Sequence, residues 1–126
     1  MTKSTTEGHG GAPRSELLDL TIDDASARLR DRALSSEELT KAVLARIEAT
    51  EPALHSFITV TPELALEQAR AADRRLAEGK ALSALDGVPI AIKDIINTKG
   101  VRTTAGSRIL ERFISPYDAT VTRRLR

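Results

Sequence analysis

Apolar residues after Ser35 fall at Leu39, Val43, Leu44 and Ile47, the three- and four-residue steps that line one face of a helix. Ser35 and Glu38 have the spacing of a capping box, so the helix is expected to begin at "SSEEL" and to end at Pro52. An earlier helix is predicted from Thr21, a cap followed by Asp23 and Asp24, with Ile22, Ala25 and Leu29 on one face. A third opens at Thr61-Pro62-Glu63, carries the stripe Ala65, Ala69, Ala72 and Leu76, and stops at Gly79. Between the second and third helices, "HSFITVT" reads as a strand or as an extended connector.

After "KALSALDG" the pattern changes. Val88 to Ile96 is nearly all apolar and predicts a strand with both faces to bury, Pro89 being tolerable near its start. A Gly- and Thr-rich loop, "NTKGVRTTAGS", leads to the short apolar segment "RILERFI", which Ser115-Pro116 breaks. Asp118 can cap a last helix, "ATVTRRLR", which reaches Arg126 after about two turns. A two-faced strand needs neighbours and covering layers, so the expected class is α/β: N-terminal helices leading into the first strands of a mixed sheet covered by helices, truncated. Residues 1–14 carry almost nothing to bury and are expected to form a disordered tail, leaving 15–126 as the N-terminal part of one incomplete domain.

Composition narrows the chemistry. With 2% aromatic residues among 126, a core must be built from aliphatic residues and alanine, which suits closely packed helices. Lys plus Arg number 19 against 18 Asp plus Glu, so no global field argues for nucleic acid or a membrane surface. The absence of cysteine excludes disulfides and thiolate chemistry within these residues, and His9 and His55 lack ligand-like spacing. No run approaches a membrane span, and the N-terminus has no apolar secretory stretch, so a cytoplasmic location is the expectation. Arg123, Arg124 and Arg126 read as complements to a helix end or as a solvated face, with RNA contact as the alternative.

Lys93 interrupts the apolar run. Alternation along a strand places it opposite Asp94, so adjacency does not make the two an ion pair. One reading makes Lys93 a gatekeeper charge on a sheet edge. The other makes it a base in a dry site. Its ordinary pKa of about 10.4 leaves it protonated, and bringing it to about 7–8 by burial without a counterion corresponds to about 3–5 kcal/mol. Phosphate binding fails on spacing, because neither Lys93 nor Gly79-Lys80 completes a P-loop, and no Ser-x-x-Lys occurs. Thr98, Thr103, Thr104, Gly106 and Ser107 form a hydroxyl-rich cluster that reads as loop residues or as substrate contacts.

The stretch "LDGVPIAIKDIINTKGVRTTAGSRILERFISPYDATVTRRLR" resembles the start of the amidase signature family, and within it the A subunits of glutamyl-tRNA(Gln)/aspartyl-tRNA(Asn) amidotransferases. "LSSEELTKAVLARIEATEPALHSFITVTPELALEQARAADRRL" is similar to that family's helical lead-in, so the likeness spans about residues 17 to 126. The resemblance implies that Lys93 is the lysine of a Ser-cisSer-Lys triad. It further implies acyl-enzyme cleavage of glutamine, with the ammonia passed to a partner protein that converts Glu-tRNA(Gln) to Gln-tRNA(Gln). ATP and Mg2+ belong to that partner, and no cofactor to this chain; the implied partners are the B and C subunits of a heterotrimer, with aminoacyl-tRNA reached through the complex. Both triad serines are expected beyond Arg126, so neither Ser107 nor Ser115 is a nucleophile candidate and these residues alone are expected to be inactive. Asp86 stands where many members have histidine, and Ala105 where the amidotransferase members often have cysteine, which leans toward a general amidase acting on a small amide. A noncatalytic helical interaction module is the remaining alternative.

Overall fold

The computed structural model describes residues 14–125. The tail expected over residues 1–14 lies outside them except for Arg14, which opens a first helix that the sequence pattern did not reveal, α1 (Arg14–Leu18). It is followed by α2 (Ile22–Arg30), α3 (Ser36–Leu54) and α4 (Pro62–Ala77), then by a long irregular segment, a single 3-10 turn (Arg108–Leu110) and α5 (Thr120–Leu125).

The helices begin much as the sequence predicts. The Thr21 and Ser35 hydroxyls accept from the Asp24 and Glu38 backbone N–H groups at 3.1 and 3.0 Å. Thr61, by contrast, makes no side-chain cap bond, and Pro62 occupies the first turn of α4. Pro52 does not end α3. The helix continues through it to Leu54 and closes on His55, whose φ of 50° is left-handed and whose N–H donates to Glu51 O at 2.9 Å. A proline removes one N–H and crowds the preceding turn, a cost the chain meets only two residues before the helix stops anyway.

α3 and α4 pack antiparallel, and the contact that fixes them is polar. Asp73 of α4 accepts from the Ser36 N–H at 2.6 Å and the Glu37 N–H at 3.0 Å. With Ser35 Oγ on the Glu38 N–H and Ser35 O accepting from the Leu39 N–H, the first four N–H groups of α3 are all satisfied. The carboxylate also sits where the helix dipole favours negative charge. Glu37 accepts from Lys41 at 2.8 Å and from Arg70 Nε and Nη2 at 3.1 Å, extending the link along the exposed side of the pair. Replacing Asp73 with alanine is expected to cost about 2 kcal/mol, the loss of a charged cap on two N–H groups, read as a lowered unfolding midpoint with unchanged denaturant slope.

The core is small and lacks aromatic residues: Leu17, Ala25, Leu29, Leu34, Leu39 and Ala42 are buried together, with Leu20, Leu76 and Val88 packed against them. Ala69 and Ala72 of α4 are buried as the stripe predicted. Ile22, expected on the inner face of α2, is exposed, and Ser26 is buried there alongside Ala25 and Leu29.

The expected strands are the main departure. Among the described residues none forms a ladder, and the β-type pairing present is one isolated antiparallel bridge, Arg102 with Ile114. "HSFITVT" is a connector. The Val88–Ile96 strand is not formed: the chain is irregular from Val88 to Lys93 and then turns, the Ile96 N–H donating to Lys93 O at 2.9 Å. Two physical reasons account for it. No other described segment runs alongside to supply the ladder, and Asp94 is bound to the Thr104 loop, which bends the chain where the strand would continue.

Candidate functional site

Five bonds fix the chain where it enters the segment that carries Lys93. The Ser26 hydroxyl of α2 donates to Ala84 O, and the Ser36 hydroxyl of α3 donates to Gly87 O at 2.6 Å. Asp86 accepts from Arg75 of α4 through both carboxylate oxygens, at 2.5 and 2.9 Å, and from the Leu82 N–H at 3.0 Å. The Asp86 side chain is only 5% exposed, and the Arg75 guanidinium beside it holds its carboxyl below the usual carboxylate range. Asp86 is therefore a structural tie between α4 and the 81–87 loop.

The stability consequence has a definite sign. A carboxylate whose folded pKa is depressed stabilises the fold fully above its unfolded value of about 3.9, and that contribution is lost as pH falls through the lower folded value. Thermal midpoints followed from about pH 5 down to about pH 2 are expected to fall more steeply for the native sequence than for Asp86→Asn, which cannot titrate. Parallel curves would show that the Arg75–Asp86 pair contributes nothing to acid stability.

Beyond Gly87 the chain runs to Lys93, which is exposed and among the described residues makes no side-chain hydrogen bond or ion pair. Ile90, Ile92 and Ile95 around it are exposed as well. Asp94 does not pair with it. Its carboxylate accepts from the Thr104 N–H at 3.0 and 3.1 Å and from the Thr104 hydroxyl at 2.5 Å, and its backbone carbonyl accepts from the Ala105 N–H at 3.0 Å. The Thr104 hydroxyl, foremost, holds the Asp94 carboxyl below its ordinary pKa. Strand alternation predicted that Lys93 and Asp94 would be separated; in the structure the Thr104 loop separates them.

The hydroxyl-rich cluster divides. Thr104 is buried and occupied by Asp94 and by the Gly106 N–H at 3.1 Å, and Thr103 is buried with its hydroxyl toward Val101 O. Ala105 and Gly106 both have positive φ, 50° and 67°, inside a turn closed by the Ser107 N–H on Thr104 O at 2.9 Å. These are loop-building roles. Ser115 is buried with its hydroxyl donating to Tyr117 O at 2.7 Å, a loop-building role as well.

The rest of the segment folds around the same loop. The Gly100 and Thr103 N–H groups donate to Ser115 O and Phe113 O at 2.8 and 3.0 Å, and the Thr122 hydroxyl of α5 donates to Asn97 O at 2.9 Å. Asp118, expected as a helix cap, accepts from the Lys99 N–H at 2.7 Å. A separate groove of about 500 Å3 lies between the start of α4 and Lys99, Gly100 and Arg102; Lys93 does not line it. Among the described residues no group of acidic, histidine or cysteine side chains is arranged to hold a metal ion, and no helix is long and apolar enough to cross a membrane.

The sequence model of the Amidase family matches residues 38–126, more than half of the chain and the whole of the segment just described. The chain belongs to the amidase family. The A subunit of a glutamyl-tRNA(Gln) amidotransferase from Methylococcus capsulatus is 62% identical over 104 residues, covering 82% of this chain and 21% of the relative. Its counterpart of the same name from Geobacter metallireducens is 53% identical over 111 residues, 88% of this chain and 23% of the relative. Among solved structures, one described as "An unexpected vestigial protein complex reveals the evolutionary origins of an s-triazine catabolic enzyme" superimposes with a TM-score of 0.79 at 31% identity, over 84% of this chain and 23% of that one. This amidase chain thus spans under a quarter of the length of these proteins, and its helical lead-in and irregular 88–119 segment are those of an amidase fold.

Sequence reasoning singled out Lys93 but missed Ser36, Arg75 and the tie that Asp86 makes, which fix its approach. Asp-Gly at 86–87 is a turn signal; nothing local announces a partner eleven residues upstream or a serine fifty-one upstream.

Proposed function

We propose that these residues form the N-terminal part of the glutaminase component of a tRNA-dependent amidotransferase, with Lys93 as the base of a Ser-cisSer-Lys triad. The observation that carries this is the identity of 53% and 62% to the A subunits of two amidotransferases over the segment containing Lys93. The neutral Lys93 amine takes a proton through the bridging serine from the nucleophilic serine, whose oxygen attacks the glutamine amide carbon. Ammonia leaves with a returned proton, and water releases glutamate from the acyl-enzyme. Both serines belong to parts of the amidase fold outside these residues. The exposed isoleucines around Lys93 support the same reading, since further chain packing over them would give the mixed sheet its strands and Lys93 the dry surroundings a base requires.

In this proposal the ammonia passes to a B subunit held with a C subunit, where ATP and Mg2+ activate Glu-tRNA(Gln). The complex works in the cytoplasm. The test is amidation of Glu-tRNA(Gln) by the intact gene product assembled with those partners, with glutamine as the amide donor. Efficient hydrolysis of small amides without tRNA, and no glutamine-dependent amidation, would instead establish the general amidase, the reading that Ala105 favours.

A further inference from the structure

We infer that Asp94 is a positioning residue for Lys93, tied by Thr104 so that the lysine has no counterion. The inference rests on Lys93 being the base. A carboxylate beside a lysine is its natural ion-pair partner, and pairing holds the proton that a base must lack. Here the nearest carboxylate in sequence is the adjacent one, yet its oxygens are taken by the Thr104 N–H and hydroxyl and its carbonyl by the Ala105 N–H. Thr104 is buried, so water competes weakly for those bonds, and its own hydroxyl oxygen is fixed by the Gly106 N–H. The turn runs through two consecutive left-handed residues, Ala105 and Gly106, and is closed by the Ser107 N–H on Thr104 O. The turn residues Thr103 to Ser107 that face Asp94 carry no charge; Arg108 follows them, Asp86 and Lys99 are the next charges along the chain on either side of the Lys93-Asp94 pair, and no described acidic group lies at salt-bridge distance from Lys93. The same clamp fixes the backbone of Lys93, whose carbonyl closes the turn to Ile96.

The test is the pH dependence of glutaminase kcat/KM in the intact gene product with its partners, whose acid limb reports deprotonation of the base. Thr104→Val removes the hydroxyl donor and releases an Asp94 oxygen toward Lys93, so the limb is expected to move up by about one pH unit or more. Thr104→Ser, which keeps the hydroxyl, is expected to return it to the native position. Asp94→Asn cannot act as a counterion and is expected to leave the limb in place; it decides the matter should Thr104→Val fail to assemble. A limb that drops in Asp94→Asn would show that Asp94 already pairs with Lys93, and a limb unmoved in an assembled Thr104→Val would show that the clamp is only structural; either overturns the inference. Lys93→Ala separates the two levels: retained glutaminase sinks the assignment of the base itself, whereas its loss with an unmoved Thr104→Val limb sinks only the role of Asp94.

Discussion

Lys93→Ala in the intact gene product, assembled with its partners, is expected to lower glutamine-dependent amidation by about 10²–10⁴-fold, the usual contribution of a positioned base. Amidation with free ammonia is expected to survive at a rate close to the native one, because ammonia bypasses the acyl-enzyme and uses only the partner's activation of the tRNA. Lys93→Arg is expected to be as damaging as the alanine variant. Arginine retains the charge and length but stays protonated at any working pH, so it cannot accept a proton. If Lys93 were a gatekeeper on a sheet edge, arginine would serve equally and both rates would be native. Stability distinguishes the readings too: Lys93 is exposed and unpaired among the described residues, so truncating it there changes the unfolding free energy by no more than about 0.5 kcal/mol. A variant that loses both donor activities together would point to misassembly and contradict the assignment.

The helices were legible because their information is local. Ser35 with Glu38, Thr21 with Asp24, and the alanine stripe of α4 are written within one or two turns, and each reappears in the structure. Pro52 shows the limit of that logic: a breaker two residues from a helix end costs little and marks the stop only approximately. α1 was invisible because five residues carry no periodicity. The Val88–Ile96 segment failed for a different reason. Apolar character on both faces says that a segment wants partners, and whether it becomes a strand depends on chain that runs beside it. Lys93 itself was legible as an oddity of pattern, and its proposed role as a base came only through the family resemblance. The clamp of Asp94 on Thr104 and the tie of Asp86 to Arg75 are tertiary, and no spacing rule in the sequence encodes either one.

Gly87→Ala is the substitution expected to damage the fold most. Gly87 has a φ of +90°, in the half of backbone space where an L-residue costs about 1–2 kcal/mol. A Cβ there would also lie 3.2 Å from the Ser36 Cβ and 3.4 Å from both Ser36 Oγ and Leu76 Cδ1. Ser36 cannot yield: it is 1% exposed, its N–H is held by Asp73, and its hydroxyl is the donor to Gly87 O. Moving the loop to make room breaks that last bond and strains the Arg75–Asp86 tie one residue away, so the total is expected to reach about 3 kcal/mol. Gly79→Ala supplies the control, since Gly79 has a similarly positive φ of +69° but nothing within 4 Å of an added Cβ. It carries the backbone cost alone, about 1–2 kcal/mol, so the difference between the two unfolding midpoints reads the close packing by itself. Equal losses would show that the 81–87 loop is not seated against the start of α3. The expected inequality ties fold to function, because the loop that Gly87 seats sets where the chain leaves the helices for Lys93. Gly87→Ala should therefore lower glutamine-dependent activity even at temperatures where the protein remains folded, while Gly79→Ala leaves it unchanged.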